Sequence, residues 1–241
     1  MYSGPWLPEP IEAADLPEPA HEPRHTEARY ELLESVSYAF LLALEALTPT
    51  QRAVLILCDV IEYSARETAQ ALSLSEANVR VVLHRARKAL AGYDAQRCIP
   101  TAELSVRTAQ VLQQFLEGLA TGDVPGVEAL LAADVVALND ANGTYSAARV
   151  PVRGRNKVAR FQVKIAHLGP GARRYDVRLL NGLPAFVAEW DDRPPHLAPR
   201  IALIPVLDAE GRIRALAGVL APEKLARVSP CDSHDHGASR G

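Results

Sequence analysis

The pattern of apolar and polar positions divides the chain into a helical first half and a mixed second half. Over residues 28–98 apolar side chains recur every three or four positions, which is the period of an amphipathic helix. Capping boxes begin at Thr48 and Ser64, the first with a proline at the first helical position, and Ser75 can cap a further helix. The first half is therefore predicted to be an all-α domain of short helices.

The second half, residues 103–226, has the pattern of an α+β domain. Two helical segments open it, and a third follows a strand and a loop at residues 140–144. A curved antiparallel sheet wrapped on these helices is predicted, because helices come first and a meander of strands follows. The strand-like runs lie near residues 173–180, 184–190, 200–207 and 212–220. Residues 227–241, rich in Ser, Gly and charge, are predicted to be a disordered tail.

The spacing of three residues in the helical half predicts a helix-turn-helix. This motif needs a small residue where its helices cross, a residue that tolerates left-handed geometry four positions later, and a branched apolar residue six after that. Ala69, Ser73 and Val79 occupy these positions. Because a serine in place of the usual glycine costs about 1 kcal/mol in a left-handed turn, we expect a slightly remodelled turn at Ser73. A plain helical bundle with a solvated basic face is the alternative.

Charge is segregated along the chain, although the net charge is only -3. Residues 1–27 are acidic and rich in proline, which predicts a linker. Residues 77–97 carry five Lys/Arg side chains against one acid. If Val79 and Leu83 face inward, the outer side of this helix can meet DNA phosphates and base edges. The candidate DNA-binding residues are Glu76, Asn78, Arg80, His84, Arg85, Arg87 and Lys88.

Three stretches of the helical half, residues 47–55, 63–69 and 79–87, resemble region 4 of extracytoplasmic-function (ECF) sigma factors. The resemblance implies a cytoplasmic transcription protein whose region 4 binds the promoter -35 element and the flap of core RNA polymerase. It implies neither a cofactor nor a metal. An antagonist that occupies the flap without initiating transcription is a further alternative.

Residues 4–10, with the sequence Gly-Pro-Trp-Leu-Pro-Glu-Pro, resemble the linker signature of the sigma-J-like group, whose members carry a SnoaL-like domain after region 4. Sigma factors of this family use region 2 to hold the polymerase clamp and to melt the -10 element, and this chain begins where region 2 should have ended. We therefore expect a truncated gene, a misplaced start codon, or a region 2 supplied by a separate polypeptide.

The second half resembles the SnoaL/NTF2-like cone. Residues 140–144 stand where the sigma-J-like group has Asp-Gly-Gly-Gly-Lys, and residues 221–225 stand where it has Asn-Pro-Asp-Lys-Leu. The resemblance implies that the linker docks beside these two loops, so that the cone acts as an internal clamp on region 4. Burial of the linker tryptophan is expected, because exposing it would forfeit about 2 to 3 kcal/mol. The expected interdomain residues are Trp6, Leu7, Pro8, Asp140, Gly143 and Lys224.

Composition and candidate chemistry narrow the remaining classes. No apolar run approaches the length of a membrane span, and the three cysteines form no Cys-x-x-Cys pair. SnoaL-like cones can be enzymes that use a pocket acid or histidine as general base, so a small-molecule-binding or cyclase-type enzyme is the alternative function. An unidentified small ligand in the cone is also expected. The candidate bases, each more simply explained as a loop or surface residue, are Asp140, Tyr145, His167, Tyr175 and Asp191.

Overall fold

The computed structural model describes residues 5–12, 37–45, 47–94 and 100–231. Its first part is the predicted all-α domain, in which a π-helical turn, Ile56–Val60, continues the second helix. Residues 28–36 and 95–99 of that predicted domain lie outside the described residues. The helices are α1 (Tyr38–Glu45), α2 (Pro49–Leu55), α3 (Ala65–Leu72) and α4 (Glu76–Asp94).

Each predicted helix start in this domain is closed by the side chain expected to cap it. The Thr48 side chain accepts a hydrogen bond from the Gln51 amide, and the Gln51 side chain accepts one from the Thr48 amide. Ser64 and Glu67 form the same reciprocal pair at the start of α3. The Ser75 hydroxyl caps α4. The N-terminal amides of three successive helices are therefore partly satisfied locally, as the sequence predicts.

The helix-turn-helix has the geometry that its spacing predicts, with one correction. Ala69 and Val79 are buried against each other's helices. Ser73 lies in the left-handed region with φ 55° and ψ 42°, so the expected remodelling of the turn is wrong. The amides of Ser73 and Leu74 donate to the carbonyls of Gln70 and Ala69, which satisfies the last carbonyls of α3. These hydrogen bonds offset the conformational cost of a serine at this position.

The second domain places three helices beside a six-stranded sheet. Helices α5 (Ala102–Thr121) and α6 (Val124–Ala129) precede the first strand, and α7 (Arg155–Ala166) lies between the second and the third. The strands are β1 (Leu131–Asp140), β2 (Val152–Arg153), β3 (Arg174–Leu180), β4 (Leu183–Glu189), β5 (Arg200–Leu207) and β6 (Ile213–Val219), followed by a 3-10 turn (Pro222–Leu225).

The sheet has the order β2-β1-β6-β5-β4-β3. Strands β3 to β6 form the predicted antiparallel meander. Strand β1 returns to lie parallel to β6, a pairing that the sequence analysis did not anticipate. Strand β1 begins at Leu131, and the ladder is irregular between Leu131 and Val136. The sheet is thus of mixed direction.

The two faces of the sheet carry separate cores, because side chains alternate along each strand. One face packs on α5, α6 and α7 through the cluster that contains Phe115, Val158, Leu203 and Leu216. Among the described residues, none of the α-helices of the second domain packs on the other face. It packs instead on residues from the two ends of the described chain, namely Leu7, Tyr38, Leu225, Val228 and Cys231.

The fold of the second domain extends past the predicted boundary at residue 226. Val228 and Cys231 are buried in the sheet core. The Cys231 amide donates to Glu189, and Arg178 and Arg200 donate to the carbonyl of Ser229. The prediction of a tail beginning at residue 227 is therefore wrong for residues 227–231, because two apolar side chains and several backbone groups find partners on the sheet. Residues 232–241 lie outside the described residues.

None of the helices within the described ranges is both long enough and apolar enough to cross a lipid bilayer.

Candidate nucleic-acid interface and interdomain contacts

Helix α4 buries one face and exposes the other. Val79 packs on α2 and α3, whereas Ala86 and Leu90 pack on α1 and α2. With 3.6 residues per turn, the positions opposite this buried stripe form one continuous outer face. The exposed side chains of this helix include all seven predicted DNA-binding residues and one valine: Glu76, Asn78, Arg80, Val81, His84, Arg85, Arg87 and Lys88.

Two of the predicted DNA-binding arginines are engaged within the domain. The Arg87 guanidinium donates two hydrogen bonds to Asp59 on the π-helical turn, at 2.7 and 3.0 Å. These hydrogen bonds raise the pKa of Arg87 above its ordinary value, so the guanidinium stays charged. Arg80 pairs with Glu76 one turn earlier on the same helix, at 3.2 Å. Arg87 therefore ties α4 to the end of α2, which the sequence analysis did not predict.

A small apolar patch is exposed on the helical domain. Val60, Ile61 and Tyr63 follow one another closely at the end of the π-helical turn, and each is exposed by between 42% and 51%. Between them Glu62 has a φ of 61°, a conformation uncommon for a residue with a side chain. The backbone turns at Glu62, and the apolar side chains on both sides of the turn are exposed. Monomeric proteins rarely cluster exposed apolar side chains unless they meet a partner.

The linker segment is held on the sheet by one buried ion pair. The Asp140 carboxylate is fully buried and lies 2.6 Å from Lys224 Nζ. It also accepts hydrogen bonds from the amides of Leu7 and Asn142, at 2.8 and 2.9 Å. Lys224 Nζ donates in addition to the Leu7 carbonyl at 2.5 Å. Both backbone groups of one linker residue thus bind to a single Asp–Lys pair, which we call the linker clamp.

The buried anchor of the linker is Leu7 and not Trp6. Leu7 is only 1% exposed, whereas Trp6 is 53% exposed, so the expected burial of Trp6 is wrong. In an extended segment neighbouring side chains point in opposite directions. Because both backbone groups of Leu7 are fixed by the clamp, its side chain enters the sheet core and Trp6 turns outward. The Trp6 ring lies against Lys224 Nζ, 3.7 Å from the ring centroid, as a cation–π contact.

A second contact fastens the linker at the outer end of strand β3. The Asn181 amide donates to the Ile11 carbonyl, and the Asn181 side chain accepts from the Ile11 amide. The Glu12 carboxylate accepts from Arg178 at 2.8 Å and from both the amide and the hydroxyl of Ser229. This contact was not predicted from the sequence. The only available signal was the Asn-Gly pair at residues 181–182, which is typical of a hairpin turn.

The two loops with family motifs meet above the clamp. Asn142 donates through its side chain to Glu223, so the loop after β1 is joined to the 3-10 turn. Gly143 is exposed with a φ of 79°, a left-handed conformation that suits glycine. Asp140 and Lys224, which are among the motif residues kept in this chain, are the two that form the clamp. Gly143 shapes the loop without a described contact to the linker.

The candidate general bases lie on different elements. Asp140 is occupied by the clamp, and Asp191 forms ion pairs with Arg173 and Arg174. His167 is exposed at the C-terminal end of α7, and Tyr175 is exposed on the edge strand β3. Tyr145 is half-buried in the loop after β1. In the described part of the chain, no three His, Cys, Asp or Glu side chains are placed to hold a metal ion.

A capped helix-turn-helix with a basic outer face, joined to an α+β cone, defines a modular transcription protein. The family model "Sigma-70, region 4" matches residues 37–90. The ECF RNA polymerase sigma factor SigJ of Mycobacterium tuberculosis is 33% identical over 230 residues, which is 93% of this chain and 70% of SigJ. The chain therefore belongs to the ECF sigma factors, and works with RNA polymerase and promoter DNA in transcription.

Further likenesses are found to solved structures and to a second sigma factor. The crystal structure of M. tuberculosis SigJ covers 96% of this chain and 77% of its own, with 27% identity and a TM-score of 0.69. SigG of the same organism is 47% identical over 57 residues, 24% of this chain and 15% of its own. An NTF2-like protein of Mesorhizobium loti, at 19% identity and a TM-score of 0.34, covers 48% of this chain and 92% of its own. The predicted fold class, a helix-turn-helix domain followed by an α+β domain, is confirmed by the described elements and by the likeness to SigJ.

Proposed function

We propose that this protein binds the promoter -35 element through the outer face of α4, while the cone fixes the linker and thereby the position of region 4. The observation that carries the proposal is the continuous exposed face of α4, opposite a fully buried stripe. His84, Arg85 and Lys88 offer charge to phosphates, and Asn78 near the N-terminal end of the helix can reach base edges. Val81 adds an apolar contact of the kind that a thymine methyl group accepts.

The engaged arginines have different roles in this proposal. Arg87 orients α4 through Asp59 and contributes to DNA binding mainly through its charge. Arg80 can exchange Glu76 for a phosphate, since an exposed pair between neighbouring helical turns contributes only about 0.3 to 0.5 kcal/mol. Glu76 therefore holds Arg80 ready in the free protein and competes weakly with DNA.

The salt dependence of DNA binding tests the α4 proposal. Each lost phosphate contact lowers the slope of log affinity against log salt by about 0.9, so Arg80→Ala with Lys88→Ala should lower it by about 1.8. The matched control is Lys157→Ala with Arg160→Ala on the outer side of α7, which removes the same charge from the cone. The full chain should be titrated against a -35-like duplex at several salt concentrations. Equal slopes for the two double variants would reject α4 as the DNA-binding face.

We further propose that the apolar patch of Val60, Ile61 and Tyr63 docks on the flap of core RNA polymerase, in the cytoplasm where the enzyme works. Three half-exposed apolar side chains within four residues suit a partner that brings its own apolar side chains. Val60→Ser should weaken binding to core polymerase and leave the DNA salt slope unchanged. The matched control is Val150→Ser on the cone, since Val150 is even more exposed, at 71%. Equal polymerase affinities for both variants would reject this surface.

The cone in this proposal is a holding domain and not an enzyme. The Asp140 carboxylate accepts hydrogen bonds from Lys224 and from the amides of Leu7 and Asn142, so it is not available as a general base. A small ligand in the cone is a second candidate, and one observation favours it. The side-chain nitrogen of Asn139 is buried on the helix-facing side of the sheet without an acceptor among the described residues. An apolar ligand bearing a carbonyl should then raise the unfolding temperature of the parent and not of Asn139→Leu; equal rises would reject it.

A further inference from the structure

Helix α1, the first helix of region 4, has two apolar faces that belong to two different domains. Tyr38 and Leu42, one turn apart, pack with the sheet core of the cone. Phe40, Leu41 and Leu44 pack on the other side with the core that also holds Ala86 and Leu90 of α4. The same short helix therefore contacts the cone on one side and the DNA-facing helix on the other.

Tyr38 is the most deeply placed side chain on the cone side of α1. It is 2% exposed and shares its core with Leu7 of the linker. Its hydroxyl donates to the carbonyl of Pro8 at 3.0 Å. Burial, with the nearby charges of Asp140 and Glu45, raises the pKa of this phenol well above its ordinary value, so the hydroxyl stays protonated and remains a donor. One side chain thus touches the linker, the cone and region 4.

The start of α1 is fixed at the same place. Ser37 is fully buried, and its hydroxyl accepts a hydrogen bond from the Phe40 amide. Ser37 therefore caps the start of α1, immediately before Tyr38. At the other end, Glu45 forms an ion pair with Arg52 of α2 at 2.7 Å. Both ends of α1 are held, one beside the cone and one within region 4.

We propose that Tyr38 is a positioning residue that joins region 4 to the cone, so that α1 acts as a rigid connection setting the direction of α4. The linker clamp binds both backbone groups of Leu7. The Tyr38 hydroxyl donates to the carbonyl of the next residue, Pro8. Release of the linker from the clamp then withdraws the acceptor of the Tyr38 hydroxyl and part of the surface under its ring. Region 4 is freed by the same event.

A distance measurement on the full chain tests this proposal without reference to DNA. Spin labels are placed at Ala89→Cys on α4 and Arg160→Cys on α7, both exposed positions, in a background in which Cys58, Cys98 and Cys231 are replaced by Ala. We expect one narrow distance distribution for this parent and a broadened or shifted one for Tyr38→Ala and for Leu42→Ala. Tyr38→Phe removes only the hydroxyl. It should lower the ratio of docked to released region 4 by about fivefold, the equivalent of one hydrogen bond of about 1 kcal/mol.

The controls separate a positioning role from simple loss of stability. Tyr175→Ala and Tyr175→Phe truncate an exposed tyrosine of the cone and should leave the distance distribution unchanged. A residue that merely stabilised one domain would lower the unfolding temperature and leave the distance in the folded protein narrow. The proposal is overturned if Tyr38→Ala and Leu42→Ala both keep the parent's narrow distribution. Only one consequence of the Tyr38 proposal rests on the proposed function. It is that the same variants weaken binding of the -35 duplex without changing the salt slope.

Discussion

Replacing either member of the buried Asp140–Lys224 pair should cost about as much unfolding free energy as replacing both. Lys224→Met leaves a fully buried carboxylate with only the amides of Leu7 and Asn142 as donors. Asp140→Asn leaves an ammonium group whose remaining partners are the Leu7 carbonyl and the face of Trp6. Removing one partner of a buried ion pair typically costs about 3 to 5 kcal/mol, because the other charge stays buried without compensation.

The lower end of that range applies to this pair. Asp140 retains two backbone donors, and the Lys224 side chain keeps 10% of its surface exposed. We therefore expect about 3 kcal/mol of lost unfolding free energy for each single variant. The double variant Asp140→Asn with Lys224→Met contains no uncompensated charge, and Met fills most of the volume of the lysine stem. Its loss should also be about 3 kcal/mol, so the coupling energy is about 3 kcal/mol, at the upper end for contacting residues.

Urea unfolding of the parent, both single variants and the double variant measures this cycle. Trp190→Phe in all four proteins leaves Trp6 as the sole tryptophan, so its emission reports separately whether the linker segment is still docked. Losses that add within about 0.5 kcal/mol would show that Asp140 and Lys224 act independently. The clamp would then be a coincidence of two nearby polar groups, and the explanation for the position of Leu7 would fail.

Three further predictions concern other parts of the molecule. Burial raises the pKa of Glu12, but hydrogen bonds from Arg178 and Ser229 outweigh it and hold the pKa below 4.5. Glu12→Gln should therefore lower the unfolding free energy at pH 7, and its difference from the parent should shrink as the pH falls below 4.5. A difference in urea unfolding that stays constant with pH would contradict this. Ser73→Gly should raise the unfolding free energy by about 1 kcal/mol by relieving a left-handed serine, whereas Ser75→Gly should not. Burial, reinforced by the charge of Glu189, raises the pKa of the Cys231 thiol, so mass spectrometry should find it alkylated more slowly than Cys58 in the folded protein.

The local architecture of this protein could be predicted from its sequence because the signals are local. The capping serines and threonine lie within three residues of the amides that they bind. The helix-turn-helix is specified by three residues within eleven positions. The exposed face of α4 follows from the helical period alone, once Val79 is known to be buried. Each of these features needs no knowledge of any distant part of the chain.

The contacts that place the domains could not be predicted, because they join residues far apart in sequence. Arg87 is of a residue type that commonly binds DNA, and it lies in a basic helix. Only its hydrogen bonds to Asp59 show that it also orients α4. Hydrophobicity ranks Trp6 above Leu7, whereas the direction of each side chain is decided by backbone hydrogen bonds to the clamp. The parallel pairing of β1 with β6 joins strands far apart in sequence and leaves no pattern in either strand. Nothing near Glu12 in sequence indicates that Ser229 is its partner.

The linker contacts also determine when the folded protein can be completed during synthesis. Leu7 binds Lys224 and Glu12 binds Ser229, and each pair is 217 residues apart. At about 5 to 20 residues per second, a ribosome needs about 10 to 40 s between making the two members of such a pair. Region 4 closes through contacts within residues 38–90 and can fold during that interval. The basic helix α4 is thus part of a folded region 4 before the linker contacts can form. Its orientation relative to the cone can be set only after Lys224 and Ser229 have been synthesised.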